Sequence, residues 1–211
     1  MSGRARRFRE VASRIASRLE NRAFPLAAEA EEHWQRQVMI EAVNARIEAL
    51  DPPARSAVEI SGDTHARVPW REYASLPYPE FDLCAPLIEE RRFDVVICEQ
   101  VLEHVVDPCA AVANLRDLSV PGGLVIVSTP FLIKVHEVPL FLMNDYWRFT
   151  PRGLRTLLES AGLEVEEVAS WGNRQCVVGN FGRWSARRRW HSMRNEPDFP
   201  VQVWAYARRT V

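Results

Sequence analysis

Two apolar runs, "FDVVICEQ" at 93–100 and "LVIVSTP" at 124–130, constrain most tightly what this chain can fold into. Each is nearly continuous in hydrophobic character instead of alternating. That is the pattern of a strand covered on both faces, as in a parallel sheet between helices. The first ends in an acid and an amide, and Pro130 stops the second. Between them, Val101, Val105, Val112, Leu115 and Leu118 recur at mostly helical spacing, divided by Pro108, and "VPGG" marks a turn. Downstream, "TPRGLRTLLESAGL" predicts a helix with Thr150 as N-cap, Pro151 at the first helical position and Gly162 at its end. "EVEEVASW" and "FPVQVWAYARR" then read as strands. Upstream, "SAVEI" is a short strand, with "REYASL" and "FDLC" as candidate second and third strands. Pro69, Pro77, Pro79 and Pro86 leave little room for long helices among them.

Strands alternating with helices predict an α/β, doubly wound, mostly parallel sheet with helices on both faces. Residues 54–211 are expected to form that domain. Residues 1–53 are expected to form an N-terminal helical extension, with Met39, Val43, Ile47 and Leu50 on one face and Asp51-Pro52-Pro53 as its end. Ligands of such sheets bind beyond the carboxyl ends of the strands. The loops holding Ser61-Gly62-Asp63, Cys84, Glu99-Gln100 and Pro130-Phe131 are therefore expected to line any site.

Composition narrows the partners. A chain of 211 residues, 47% hydrophobic, can bury one full core, and a net charge of −1 exerts no global pull on nucleic acid. Cys84, Cys98, Cys109 and Cys176 show no paired spacing, so neither a disulfide framework nor a metal-ligand pattern is visible, as fits a reducing cytoplasm. Cys98 reads as a small core residue. No signal-peptide stretch and no membrane-spanning run is seen. Phe8, Val11, Ile15 and Leu19 form a thin apolar stripe among arginines from Arg4 to Arg22. A solvated helix is the plainer reading, with at most weak peripheral contact to an anionic membrane through residues 1–22. "RWSARRRWHSMR" at 183–194 carries five arginines and no acid, which suits phosphate, carboxylate or a solvated helix face.

The stretch from "FDVVICEQVLEHVVDP" through "VPGGLVIVSTP" to "DYWRFTPRGLRTLLESAGLEVEEV" resembles the second half of class I S-adenosylmethionine-dependent methyltransferases. The resemblance runs over about residues 93–168 and rests on the order and spacing of its elements. It implies a Rossmann-like fold, S-adenosyl-L-methionine as cofactor, S-adenosyl-L-homocysteine as product and a small-molecule acceptor. By family habit the acceptor atom is an oxygen of a sugar, lipid or secondary metabolite.

The first half departs from the family. The expected acid–x–Gly–x–Gly–x–Gly turn begins at Glu59, but its glycine positions hold Ser61, Asp63 and His65, with Gly62 as a substitute turn glycine. The link from Glu59 to Asp94 is short enough that one covering helix is expected to be cut down or absent. The resemblance implies cofactor contacts at Glu59, Ser61, Gly62, Asp63, Glu80 (ribose), Asp82 (adenine), Leu83, Glu99 and Gln100. On the acceptor side it points to Phe131, Tyr146 and Arg148. His136 is the candidate general base and His104 a supporting catalytic residue. The degenerate turn also motivates a second expectation, a catalytically silent methyltransferase-like binding or assembly module. A nicotinamide dehydrogenase fails on the missing glycines and on the second half.

Overall fold

The computed structural model describes residues 33–137, 144–181, 187 and 190–210. The basic stripe at 1–22 lies outside them, as does half of the arginine-rich stretch. Six strands form one sheet in the order β2-β1-β3-β4-β6-β5: β1 Ser56–Ile60, β2 Glu72–Leu76, β3 Phe93–Glu99, β4 Ser119–Pro130, β5 Leu163–Trp171 and β6 Gln202–Arg209. The pairs β1–β2, β1–β3 and β3–β4 are parallel, and β6 lies antiparallel between β4 and β5. The helices are α1 Gln37–Glu48, α2 Pro108–Leu118, α3 Pro151–Ser160 and the short α4 Arg174–Gly179.

The continuous apolar runs are explained by two cores, one on each face of the sheet. Successive residues of a strand point to opposite faces. Val96 and Cys98 of β3 join Val58, Ile60 and Val125 beneath Leu115, Leu154 and Leu158 of α2 and α3. Val95 and Ile97 join Ala57, Leu124 and Ile126 beneath Met39, Val43 and Ile47 of α1. The helix ends carry the expected devices. Asp107 accepts from the N–H groups of Cys109 and Ala110, Thr150 accepts from that of Gly153, and Gly162 takes φ +81° after α3.

Three local expectations change. "FDLC" is a pair of turns, not a strand: Asp82 Oδ1 accepts from Cys84 N at 2.8 Å, and Asn114 Nδ2 donates to the carbonyls of Leu83 and Ala85, each at 2.8 Å. A side chain thus satisfies backbone groups that a ladder would otherwise take. Residues 101–107 are likewise not helical, because Glu103 O accepts from Tyr146 N at 2.7 Å and α2 starts only at its Asp107 cap. "VPGG" is the irregular lead-in of β4: Ser119 pairs with Phe93, the register shifts, and Leu124 then pairs with Val95. The shortened first half is confirmed, since no helix lies between β1 and β3.

Candidate functional site

β1 leads outward to β2 on one side, while β3 leads to β4 on the other. The crevice beyond β1 and β3 is therefore the topological switch point, where open α/β sheets bind ligands. A cleft of about 590 Å³ opens there, within the range of small-molecule sites. Ser61, Asp82, Gln100, His104, Asn144 and Tyr146 supply its polar atoms, and Tyr78, Phe81, Leu83, Val101 and Val105 much of its apolar wall. Two non-glycine residues at its floor are left-handed, Ser61 at φ +54° and Gln100 at φ +56°. Such backbone costs of order 1–3 kcal/mol each and persists where surrounding bonds impose it. Ser61 N donates to Leu76 O and Gln100 N to Ser128 O, each at 2.9 Å. The Gln100 side chain turns back into the sheet, donating to Gln202 Oε1 at 2.8 Å.

Glu59 explains how the turn folds without its glycines. Its buried carboxylate accepts from Thr64 N at 3.0 Å, His65 N at 2.9 Å and the Tyr73 hydroxyl at 2.8 Å, drawing residues 61–65 back over the strand end. The carboxylate passes so close to Gly62 that a Cβ there would lie 2.6 Å from Glu59 Oε1. Gly62 is required for that approach, its φ being ordinary. His65, at the third glycine position, is buried with Nε2 2.6 Å from Glu99 Oε2. Burial alone lowers its pKa, but the hydrogen bond and charge of Glu99, with the charge of Glu59, outweigh burial and hold it above the usual imidazole value.

A second polar cluster stands behind the cleft wall. Glu103 is fully buried, and burial pushes its carboxyl up to about 8. His104 Nδ1 lies 2.6 Å from Asn144 O, and the His104 and His136 rings meet edge to face with centroids 5.1 Å apart. His136 Nδ1 lies 3.0 Å from Asp145 Oδ2, while Arg148 clamps the same Asp145 carboxylate. Burial lowers the His136 pKa chiefly, with Asp145 opposing and His104 and Arg148 adding to the fall. Burial would raise the Asp145 pKa, but its bonds to Arg148 and to His136 N hold it below the usual carboxylate value.

Of the residues implied by sequence, Ser61, Asp82, Leu83, Gln100, His104 and Tyr146 come together in the cleft. Glu59, Gly62 and Glu99 build the floor through the contacts above. Asp63 is exposed, its carbonyl accepting from Ala66 N at 3.1 Å. Glu80 faces a separate depression with Leu76, Ile88 and Arg91, and Phe131 packs against the α2–α3 core. His136 and Arg148 sit one layer back, joined through Asp145. Asp145, His65 and Tyr73 were not singled out in the sequence as site residues. The Asp145–Arg148 spacing of three was the available signal for the first of these.

The sheet is Rossmann-like, with its cleft at the switch point, the architecture of class I S-adenosylmethionine-dependent methyltransferases among others. A methyltransferase-domain family model matches residues 14–168, and the chain belongs to that family. It is similar to a ubiquinone biosynthesis O-methyltransferase of Cereibacter sphaeroides, 55% identical over 107 residues, covering 44% of this chain and 41% of that protein. A protein of the same name from Thiobacillus denitrificans is 38% identical over 90 residues, covering 36% and 39%. The chain thus spans about two fifths of the length of these curated relatives. Among solved structures, an S-adenosylmethionine-dependent methyltransferase from Mesorhizobium loti shares the fold with a TM-score of 0.56 at 14% identity, over 80% of this chain and 97% of that one. Among the described residues no helix is long and apolar enough to cross a membrane.

Proposed function

We propose that this protein transfers the methyl group of S-adenosyl-L-methionine to a hydroxyl oxygen of a small-molecule acceptor. The observation that carries the reading is the cleft at the switch point, with Asp82 in one wall and His104 in another. The adenosine end is placed against Asp82, Phe81 and Leu83, and the sulfonium end over Ser61 and Gln100. The acceptor enters past Tyr146 and His104. The methyl carbon is already activated by the sulfonium, so the protein chiefly aligns the two reactants and excludes water. The acceptor oxygen gives up its proton toward the cluster behind His104 and bonds to the methyl carbon. The carbon–sulfur pair returns to sulfur, leaving S-adenosyl-L-homocysteine and a methyl ether. The naming of the curated relatives as O-methyltransferases supports oxygen as the acceptor atom.

One observation favours a second reading, a silent binding module. Glu59 spends its hydrogen bonds on its own loop, and side chains stand at three positions where the family carries glycine. Methyl-labelled S-adenosylmethionine incubated with a panel of mono- and dihydroxybenzenes, with and without apolar tails, separates the two. Labelled ether from at least one acceptor is the expected outcome. Cofactor binding with no transfer across the panel would favour the module.

A further inference from the structure

Resting on the cofactor reading above, we infer that His65 is a positioning residue of the cofactor floor. Its charged imidazole ties the end of β1 to the end of β3, and cofactor affinity falls as the ring loses its proton.

The tie is visible in its bonds. His65 is buried at the position of the turn's third missing glycine. Its backbone N–H donates to Glu59 Oε2 at 2.9 Å, near the end of β1. Its ring Nε2 lies 2.6 Å from Oε2 of Glu99, the last residue of β3. An ionised carboxylate only accepts, so Nε2 donates. Among the described residues this is the one hydrogen bond to the Glu99 side chain. Gln100 follows Glu99 directly, and Ser61 lies two residues past Glu59. These are the two left-handed positions of the floor, φ +56° and +54°. Backbone of that kind persists only where neighbouring bonds impose it, and one imidazole braces both corners.

The surroundings favour the charged ring. Glu99 faces it from β3 and Glu59 from β1. Tyr73 of β2 donates its hydroxyl to Glu59, and burial and that carboxylate raise its pKa, so it stays neutral. Asp63, in the same turn, acts on Tyr73. Arg36, just ahead of α1, and Tyr206 of β6 act on Glu99. The folded imidazole is held above its ordinary value of 6.5, so its charge stabilises the floor fully below pH 6.5. That stabilisation is lost as the pH rises through the folded value. The neutral ring keeps its Nε2 bond but leaves Glu59 and Glu99 without its countercharge.

The test needs no acceptor. The His65 ring, assigned from its own backbone amide by NMR, is titrated in the cofactor-free parent and is expected to lose its proton above pH 6.5. His65→Gln keeps a donor toward Glu99 but carries no charge. Thermal midpoints of the cofactor-free proteins should fall more in the parent than in His65→Gln as the pH rises. S-adenosylmethionine affinity, by calorimetry, should weaken at least about fivefold more in the parent than in the variant over that rise. Taking the difference removes the cofactor's own amino group, since α-amino groups titrate at about 7.7–8.0. A His65 ring titrating at or below 6.5 would overturn the inference, and it is read on the parent even if the variant fails to fold. Equal pH dependence of the midpoint, or of cofactor affinity, in the two proteins would also overturn it. A cofactor that binds neither protein at any pH sinks the transfer reading, and the ring titration and midpoints still decide the tie.

Discussion

Glu59→Ala is expected to lower the thermal midpoint by roughly 6–20 °C and to weaken S-adenosylmethionine by at least tenfold. The carboxylate is buried and serves Thr64 N, His65 N and the Tyr73 hydroxyl at once. Removing it strands those donors, each worth about 1–3 kcal/mol when left unpaired, and removes a charge facing the His65–Glu99 pair. A net loss of about 3–5 kcal/mol, at roughly 2–4 °C per kcal/mol for a chain of this size, gives the stated range. The affinity loss follows from releasing residues 61–65, which form one side of the cleft; tenfold is about 1.4 kcal/mol. Glu59→Gln should fall between the two, because its amide nitrogen would meet donors and not acceptors. Thermal denaturation and calorimetry read both effects. A Glu59→Ala midpoint within 2 °C of the parent, with unchanged affinity, would show that the loop is held by something else.

The second large effect is catalytic. His136→Ala is expected to cut the transfer rate by about 10²-fold with little change in cofactor affinity. The residue lies behind His104, its ring centroid 5.1 Å away, and reaches Asp145 rather than the adenosine side. His136→Gln should fail almost as badly, since it restores volume and one hydrogen bond but not the imidazole. Parent-like kcat in both variants on a working acceptor would reduce His136 to a loop residue.

The sheet was legible because burial on both faces leaves an unmistakable trace. "FDVVICEQ" and "LVIVSTP" carry no polar alternation, and both faces of β3 and β4 are indeed covered. The Thr150 and Gly162 signals worked because helix ends are satisfied locally. "FDLC" misled because four mostly apolar residues look like a strand until Asn114, some thirty positions away, takes the carbonyls of Leu83 and the following Ala85. The same distance effect hid the logic of the turn. The resemblance implies a cofactor contact at Glu59, while Tyr73 and the backbone of Thr64 and His65 already answer its carboxylate. The neighbouring of His104 and His136 was hidden because they stand on separate loops that only the fold brings together.

The account stands on a cofactor seated in the cleft beyond β1 and β3. Isothermal titration of S-adenosylmethionine into the full chain, beside Asp82→Ala, tests that directly. Single-site binding at micromolar strength in the parent, weakened at least tenfold in Asp82→Ala, is the predicted result. No heat at millimolar cofactor, or equal affinity in the two proteins, would contradict it.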